Sequence, residues 1–132
     1  LEAQSRLTQI QDRLDRHLRH RLEPPPDLRD PGLAKRLRDV LDARTTEGVS
    51  LDEAARLLHA HPAHLVRAFS REYGMPPHRY LTGRRVDLAR RLLLDGQRPA
   101  EVAGLAGFYD QSHLTRHFRR MIGITPAAYA RI

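Results

Sequence analysis

From Gly32 onward the apolar side chains recur at three- and four-residue spacing in short blocks, each bounded by proline, glycine or a small polar residue. That rhythm is the signature of helices packed on one face. Leu33, Leu37, Val40 and Leu41 mark a first helix. Ser50 and Glu53 form a capping box for a second, in which serine and glutamate satisfy orphan amides reciprocally. Pro62 opens a third helix that runs through Tyr73 and is stopped by Gly74. Pro76 and Pro77 launch a long fourth, carrying Tyr80, Leu81, Val86, Ala89, Leu92 and Leu93 and ended by Asp95-Gly96. Pro99 starts a fifth, Asp110 caps a sixth that Gly123 ends, and Thr125-Pro126 caps a short seventh. No stretch alternates with the two-residue period of a strand, so the fold class is all-α.

Ahead of these blocks, Leu7, Ile10, Leu14, Leu18 and Leu22 predict an amphipathic helix over residues 1–22, with one apolar edge and nothing of its own to bury it in. Glu23-Pro24-Pro25-Pro26 ends it, because proline lacks the amide donor and pushes the preceding residue out of the helical region. Residues 23–31, closed by Pro31, read as a stiff linker. The chain opens with Leu1 rather than Met, which suggests a piece of something longer. Residues 1–22 then fit either a dimer contact or an extra helix packed on its own domain.

The architecture is decided by an internal repeat. His64-Leu65-x-Arg67-x-Phe69-x-Arg71, with Gly74, Pro77 and Tyr80, returns 49 positions later as His113-Leu114-x-Arg116-x-Phe118-x-Arg120, with Gly123, Pro126 and Tyr129. Upstream the offset is 48, pairing Glu53, Ala55 and Leu57 with Glu101, Ala103 and Leu105, so the second copy has one extra residue in its turn. Each copy meets the requirements of a helix-turn-helix: a small residue, Ala55 or Ala103, where two helices cross, and a Leu/Phe pair four apart to anchor the second helix. The units fall at residues 50–74 and 98–123, joined by a helix over 77–95 within a domain of residues 32–132. At 1.5 Å per residue the joining helix is about 27 Å long, on the scale of the ~34 Å between successive major-groove faces of DNA. Anchoring one face fixes the other, and the expected outward residues are Ala63, Val66, Arg67, Ser70 and Arg71 in the first copy and Gln111, Ser112, Thr115, Arg116 and Arg119 in the second.

Charge sharpens this picture. Residues 63–132 hold twelve Arg against five acids, whereas residues 1–62 are balanced at eleven cations and eleven acids, so the whole excess of +7 lies with the repeat. A localised basic field favours a polyanion, since each neutralised phosphate releases counterions. Arg71, Arg119 and Arg120, with Ser70 and Thr115, suit phosphate contact. An acidic protein partner is the alternative that charge alone leaves open, which would make the chain a helical interaction adaptor. The absence of cysteine excludes disulfides, thiolate zinc fingers and cysteine nucleophiles. No apolar run is long enough to span a bilayer and no signal peptide precedes the first charged segment, so a cytoplasmic location is expected. His59-x-His61-x-x-His64 and His113-x-x-x-His117 have metal-compatible spacings, yet both sit inside the repeat without further ligands, so no metal or cofactor is expected. No nucleophile, base and orienter occur together and no glycine-rich phosphate loop is present, so no enzyme is expected.

The run Gly107-Phe108-Tyr109-Asp110-Gln111-Ser112-His113-Leu114-x-Arg116-x-Phe118, followed by Gly123-Ile124-Thr125-Pro126-x-x-Tyr129, resembles the signature of the AraC/XylS transcription regulators, and the similarity extends from Leu51 to Ile132. The resemblance implies a seven-helix fold of two helix-turn-helix subdomains and sequence-specific promoter binding, usually with activation through RNA polymerase. It also implies a further N-terminal effector-binding and dimerising domain, of which residues 1–22 would be the last helix or the linker that follows. By position it carries base contact onto Ala63, Val66 and Arg67 in the first unit and onto Gln111, Ser112, His113 and Arg116 in the second. The chain departs from the family at His59, which stands where the first turn usually has glycine and leaves open whether a non-glycine residue is held left-handed there, and at Ala63, where a larger side chain is common.

Overall fold

The computed structural model describes residues 30–132 together with Ile10, Gln11 and Arg13. Among the described residues there are seven α-helices and no strand: α1 (Pro31–Ala43), α2 (Leu51–Leu58), α3 (Pro62–Tyr73), α4 (Pro77–Leu94), α5 (Pro99–Ala106), α6 (Gln111–Ile122) and α7 (Pro126–Ala130). The helix and linker expected over residues 1–29 otherwise lie outside the described residues. Of that expected apolar edge only Ile10 is described, and it is half-exposed while the adjacent Gln11 is buried.

The helix boundaries follow from capping chemistry. Ser50 Oγ accepts from the Glu53 amide at 3.1 Å, Asp110 Oδ1 from the His113 amide at 2.7 Å, and Thr125 Oγ1 from the Ala128 amide at 3.1 Å. Each bond satisfies a donor that the first helical turn leaves without a partner. Pro31, expected to close the linker, is instead the first residue of α1. Asp30 caps that helix by accepting from the Leu33 amide at 3.1 Å, and proline is suited to the first helical position because its missing N–H would be an orphan there anyway.

Two compact units share the chain. One holds α1 with Val49–Tyr80, the other Arg44–Gly48 with Leu81–Ile132, so α4 begins in the first and continues into the second. In the first unit α1 packs on α3 and α2, and α2 packs on α3. Leu33, Leu37, Leu41, Leu51, Ala54, Ala55, Leu65, Ala68 and Phe69 form its interior. In the second, α5 and α6 pack together with α7. Val86, Ala89 and Leu93 from α4, Val102, Ala103 and Ala106 from α5, and Phe108, Leu114 and Phe118 make one core.

The duplication read from sequence is repeated in packing. Leu65, Phe69, Leu114 and Phe118 all have 0 % exposure, as anchors of a second helix must. Phe69 meets Tyr80 at 5.5 Å with planes at 70°, and Phe118 meets Tyr129 at 5.4 Å, also at 70°. Both are edge-to-face pairs of the kind favoured by the ring quadrupole. The first turns match as well: the Ala60 amide donates to Ala55 O at 3.1 Å and the Phe108 amide to Ala103 O at 2.8 Å.

His59 adopts φ 51° and ψ 46° at the end of α2, which answers the question left open by the sequence: this non-glycine residue is left-handed. Its side chain is exposed. A left-handed backbone costs a β-carbon-bearing residue about 1 to 2 kcal/mol, part of which glycine returns as greater freedom of the unfolded chain. His59→Gly should therefore raise unfolding free energy by about 1 kcal/mol, read from urea denaturation. An unchanged or lowered midpoint would show that the histidine ring compensates its backbone.

Candidate nucleic-acid interface

The second helix of each unit is held by its buried face, and the geometry of the opposite face decides what the unit can bind. On α6, Leu114 and Phe118 point into the core, while Gln111, Ser112, Thr115, Arg116 and Arg119 line a shallow open groove. Gln111, Ser112, Arg116, Arg119 and Arg120 are exposed and Thr115 is half-buried. No carboxylate among the described residues pairs with Arg116, Arg119 or Arg120, whereas Arg90, Arg91 and Arg98 are engaged by Asp87 or Glu101. The face therefore combines unpaired guanidinium donors with an amide and two hydroxyls. That set of groups hydrogen-bonds base edges and phosphate oxygens.

His113 does not belong to it. Expected as a base contact, it is 1 % exposed. Its ring stands edge-on to Phe108 at 5.3 Å, and its Nδ1 accepts from the Tyr109 amide at 3.2 Å. With Nδ1 accepting, the neutral ring carries its proton on Nε2, which is buried without a hydrogen-bond partner among the described residues. Burial holds the imidazole below its usual pKa, and the charges of Arg116 and Arg85 push the same way against Asp110. The physical reason is spacing: positions 113 and 117 flank the Leu114 and Phe118 stripe and widen it, so His113 fills core rather than groove.

The corresponding helix α3 presents less. Ala63 and Val66, both expected outward and in base contact, are buried at 0 % and 5 % exposure. Both side chains are apolar and gain nothing from water, so the apolar surface of α3 extends beyond Leu65 and Phe69 to include them. Arg67 is partly buried, with Nε and Nη1 inaccessible and without a hydrogen-bond partner among the described residues. Ser70 is half-buried and Arg71 exposed. His64 Nε2 lies 3.4 Å from Asp30 Oδ2, which ties the start of α3 to the start of α1.

One supporting contact could not be found by reading pattern. Arg85 on α4 is 7 % exposed, and its Nε donates to Thr45 O at 2.7 Å. Burial lowers its pKa, and the carbonyl it reaches, with that of Thr46 at 3.5 Å, replaces part of the lost hydration. Thr46 Oγ1 donates to Leu105 O at 3.1 Å. Residues 44–48 thus form a strap across the turn that leads to α6. Forty positions separate Arg85 from Thr45, and no local periodicity marks such a pair.

Residues 54–132 match the family model described as "Helix-turn-helix domain". The chain belongs to this family, in its AraC-type form. Among curated relatives, a probable transcriptional regulator, LumQ, of Photobacterium leiognathi is 33 % identical over 92 residues, covering 69 % of this chain and 37 % of that protein. The transcriptional regulator RipA of Corynebacterium glutamicum is 33 % identical over 106 residues, covering 80 % of this chain and 32 % of the relative. The chain thus spans about a third of the length of these relatives. Among solved structures, the DNA-binding domain of AdpA, determined in complex with a target DNA, superposes with a TM-score of 0.70 at 30 % identity, over 77 % of this chain and 91 % of that one. The C-terminal domain of AraT, a response regulator from Geobacillus stearothermophilus, gives a TM-score of 0.70 at 26 % identity, over 75 % and 84 %. What these solved domains share with this chain is the fold. Among the described residues no helix is long and apolar enough to cross a membrane.

Proposed function

We propose that this chain is the DNA-binding portion of a cytoplasmic transcription regulator, in which α3 and α6 enter adjacent major-groove segments of a promoter. The observation that carries the reading is the exposed face of α6, where no carboxylate among the described residues pairs with Arg116 or Arg119 and both stand beside Gln111, Ser112 and Thr115. An arginine free of protein carboxylates can meet guanine O6 and N7 with two parallel bonds, and glutamine can do the same for adenine. The AdpA domain in complex with its target DNA supports the same use of the fold here. Gln111, Ser112 and Arg116 are assigned to base edges, with Arg67 in the first reader. Thr115, Arg119 and Arg120, with Ser70 and Arg71, are assigned to phosphates, which fix register without reading sequence. Activation through contact with RNA polymerase is the expected outcome, and a homodimer, formed through residues 1–22 or a further domain, would double the number of boxes read.

Selection of bound duplexes from a random pool tests this directly. Two short enriched boxes about one helical turn apart are expected, one for each reader. A single box would leave α6 as the only sequence-reading helix. Retention without any enriched box would favour the acidic-partner reading instead.

A further inference from the structure

The two readers differ by one residue, and the structure identifies it. In the first copy the left-handed His59 is followed by Ala60, then the cap His61 and the start of α3 at Pro62. In the second, the left-handed Gly107 is followed by Phe108, then Tyr109, then the cap Asp110 and the start of α6 at Gln111. Ala60 and Phe108 are equivalent, because their amides make the same bond to Ala55 O and Ala103 O, and the caps are equivalent by position. The inserted residue is therefore Tyr109.

Nothing among the described residues uses its side chain. Tyr109 is 85 % exposed, and its hydroxyl has no hydrogen-bond partner among the described residues. Its backbone, by contrast, is held on both sides. Phe108 is sunk in the core at 4 % exposure, Asp110 is fixed by its cap bond to the His113 amide, and the Tyr109 amide itself donates to His113 Nδ1. The equivalent histidine of the first copy, His64, makes no such bond and lies against Asp30 instead. His113 thus braces the insertion that only its own copy has. A held backbone carrying an unused aromatic side chain one residue before a reader helix leaves only the side-chain rotamer to be ordered on contact. When the N-terminal turn of such a helix enters the major groove, the residue ahead of its cap lies at the groove's edge, beside the sugar-phosphate chain.

We propose that Tyr109 is a further DNA-contacting residue of the second reader, with its ring against a deoxyribose and its hydroxyl donating to one phosphate oxygen at the groove edge. This rests on the DNA reading proposed above and adds to α6 an anchor that α3 lacks. The contact positions the reader and does not select a base.

The test measures binding of the wild-type chain, Tyr109→Phe, Tyr109→Ala and Arg116→Ala to a duplex obtained from the random-pool selection, by fluorescence anisotropy at fixed salt. Tyr109→Phe should bind about fivefold more weakly, the loss of one hydrogen bond, and Tyr109→Ala about tenfold. Both factors should persist on duplexes with substituted base pairs under α6. A scan of single methylphosphonate replacements should find one phosphate whose substitution costs the wild-type chain about fivefold more than it costs Tyr109→Phe. The side chain is exposed, so unchanged thermal melts should accompany these losses. Tyr109 variants that bind like wild type while Arg116→Ala loses affinity would overturn the proposal and leave the DNA reading standing. A loss confined to one base pair would overturn it too, by making Tyr109 a base reader. Absence of any selected duplex would sink the DNA reading itself.

Discussion

Gly107→Ala should destabilise the chain by about 3 kcal/mol or more, while Gly123→Ala, at nearly the same backbone angle, should cost only about 1 kcal/mol. Both glycines end a helix in the left-handed region, Gly107 at φ 95° and Gly123 at φ 98°. A side chain at either pays the same dihedral penalty. The surroundings differ. A β-carbon on Gly107 would sit 2.6 Å from Thr46 O, 2.8 Å from Arg85 Nε and 3.1 Å from Thr45 O, whereas one on Gly123 would meet nothing within 4 Å. Two of those three neighbours are backbone oxygens, which cannot rotate away. The new methyl must therefore push the 44–48 strap off the turn, breaking the Thr46 bond to Leu105 O and leaving the Arg85 guanidinium buried with fewer acceptors. Urea denaturation of the two variants side by side measures the difference. Equal losses would show that the strap yields freely and that the turn before α6 needs no support from it.

Much of this molecule is visible in its sequence because its local rules agree with one another. Ser50, Asp110 and Thr125 each precede a helix and each accepts the bond a cap should accept. The Leu/Phe pairs of the two copies are buried, and the offset change from 48 to 49 correctly announced an extra residue before α6. Pro31 misled because a proline after Pro24-Pro25-Pro26 looks like more linker, although the same residue type serves equally at a helix start.

The binding face was less legible, for physical reasons that concern side chains with two uses. Ala63 and Val66 could serve thymine methyl groups or core, and periodicity cannot say how wide the apolar surface of a helix will be. His113 could donate to a base or fill space, and its burial depends on the Tyr109 amide as a donor to its Nδ1, which is in place only once the turn has formed. Arg85 was indistinguishable from the other arginines of α4 because its partners, Thr45 and Thr46, lie 40 and 39 positions away. Tyr109 stood inside the signature without a role, since only alignment of the two turns in space shows it to be the insertion.

Arg116→Ala should lower affinity for the selected duplex by about 1 to 3 kcal/mol, roughly 5- to 150-fold, and relax preference at one base pair. Its effect on stability should be within about 0.5 kcal/mol, because Arg116 is exposed and no described carboxylate loses a partner with it. That separation of binding from stability is what distinguishes a reading residue from a packing one. Arg67→Ala provides the contrast: two of its guanidinium nitrogens are buried without hydrogen bonds, so removing them relieves a desolvation cost as well as any base contact, and its stability should change along with its affinity. The measurement is a pair of titrations for each variant, one on the selected duplex and one on random duplex at the same salt, accompanied by a thermal melt. If Arg116→Ala weakens both duplexes equally, the residue holds a phosphate, and discrimination by α6 must come from Gln111 and Ser112 alone.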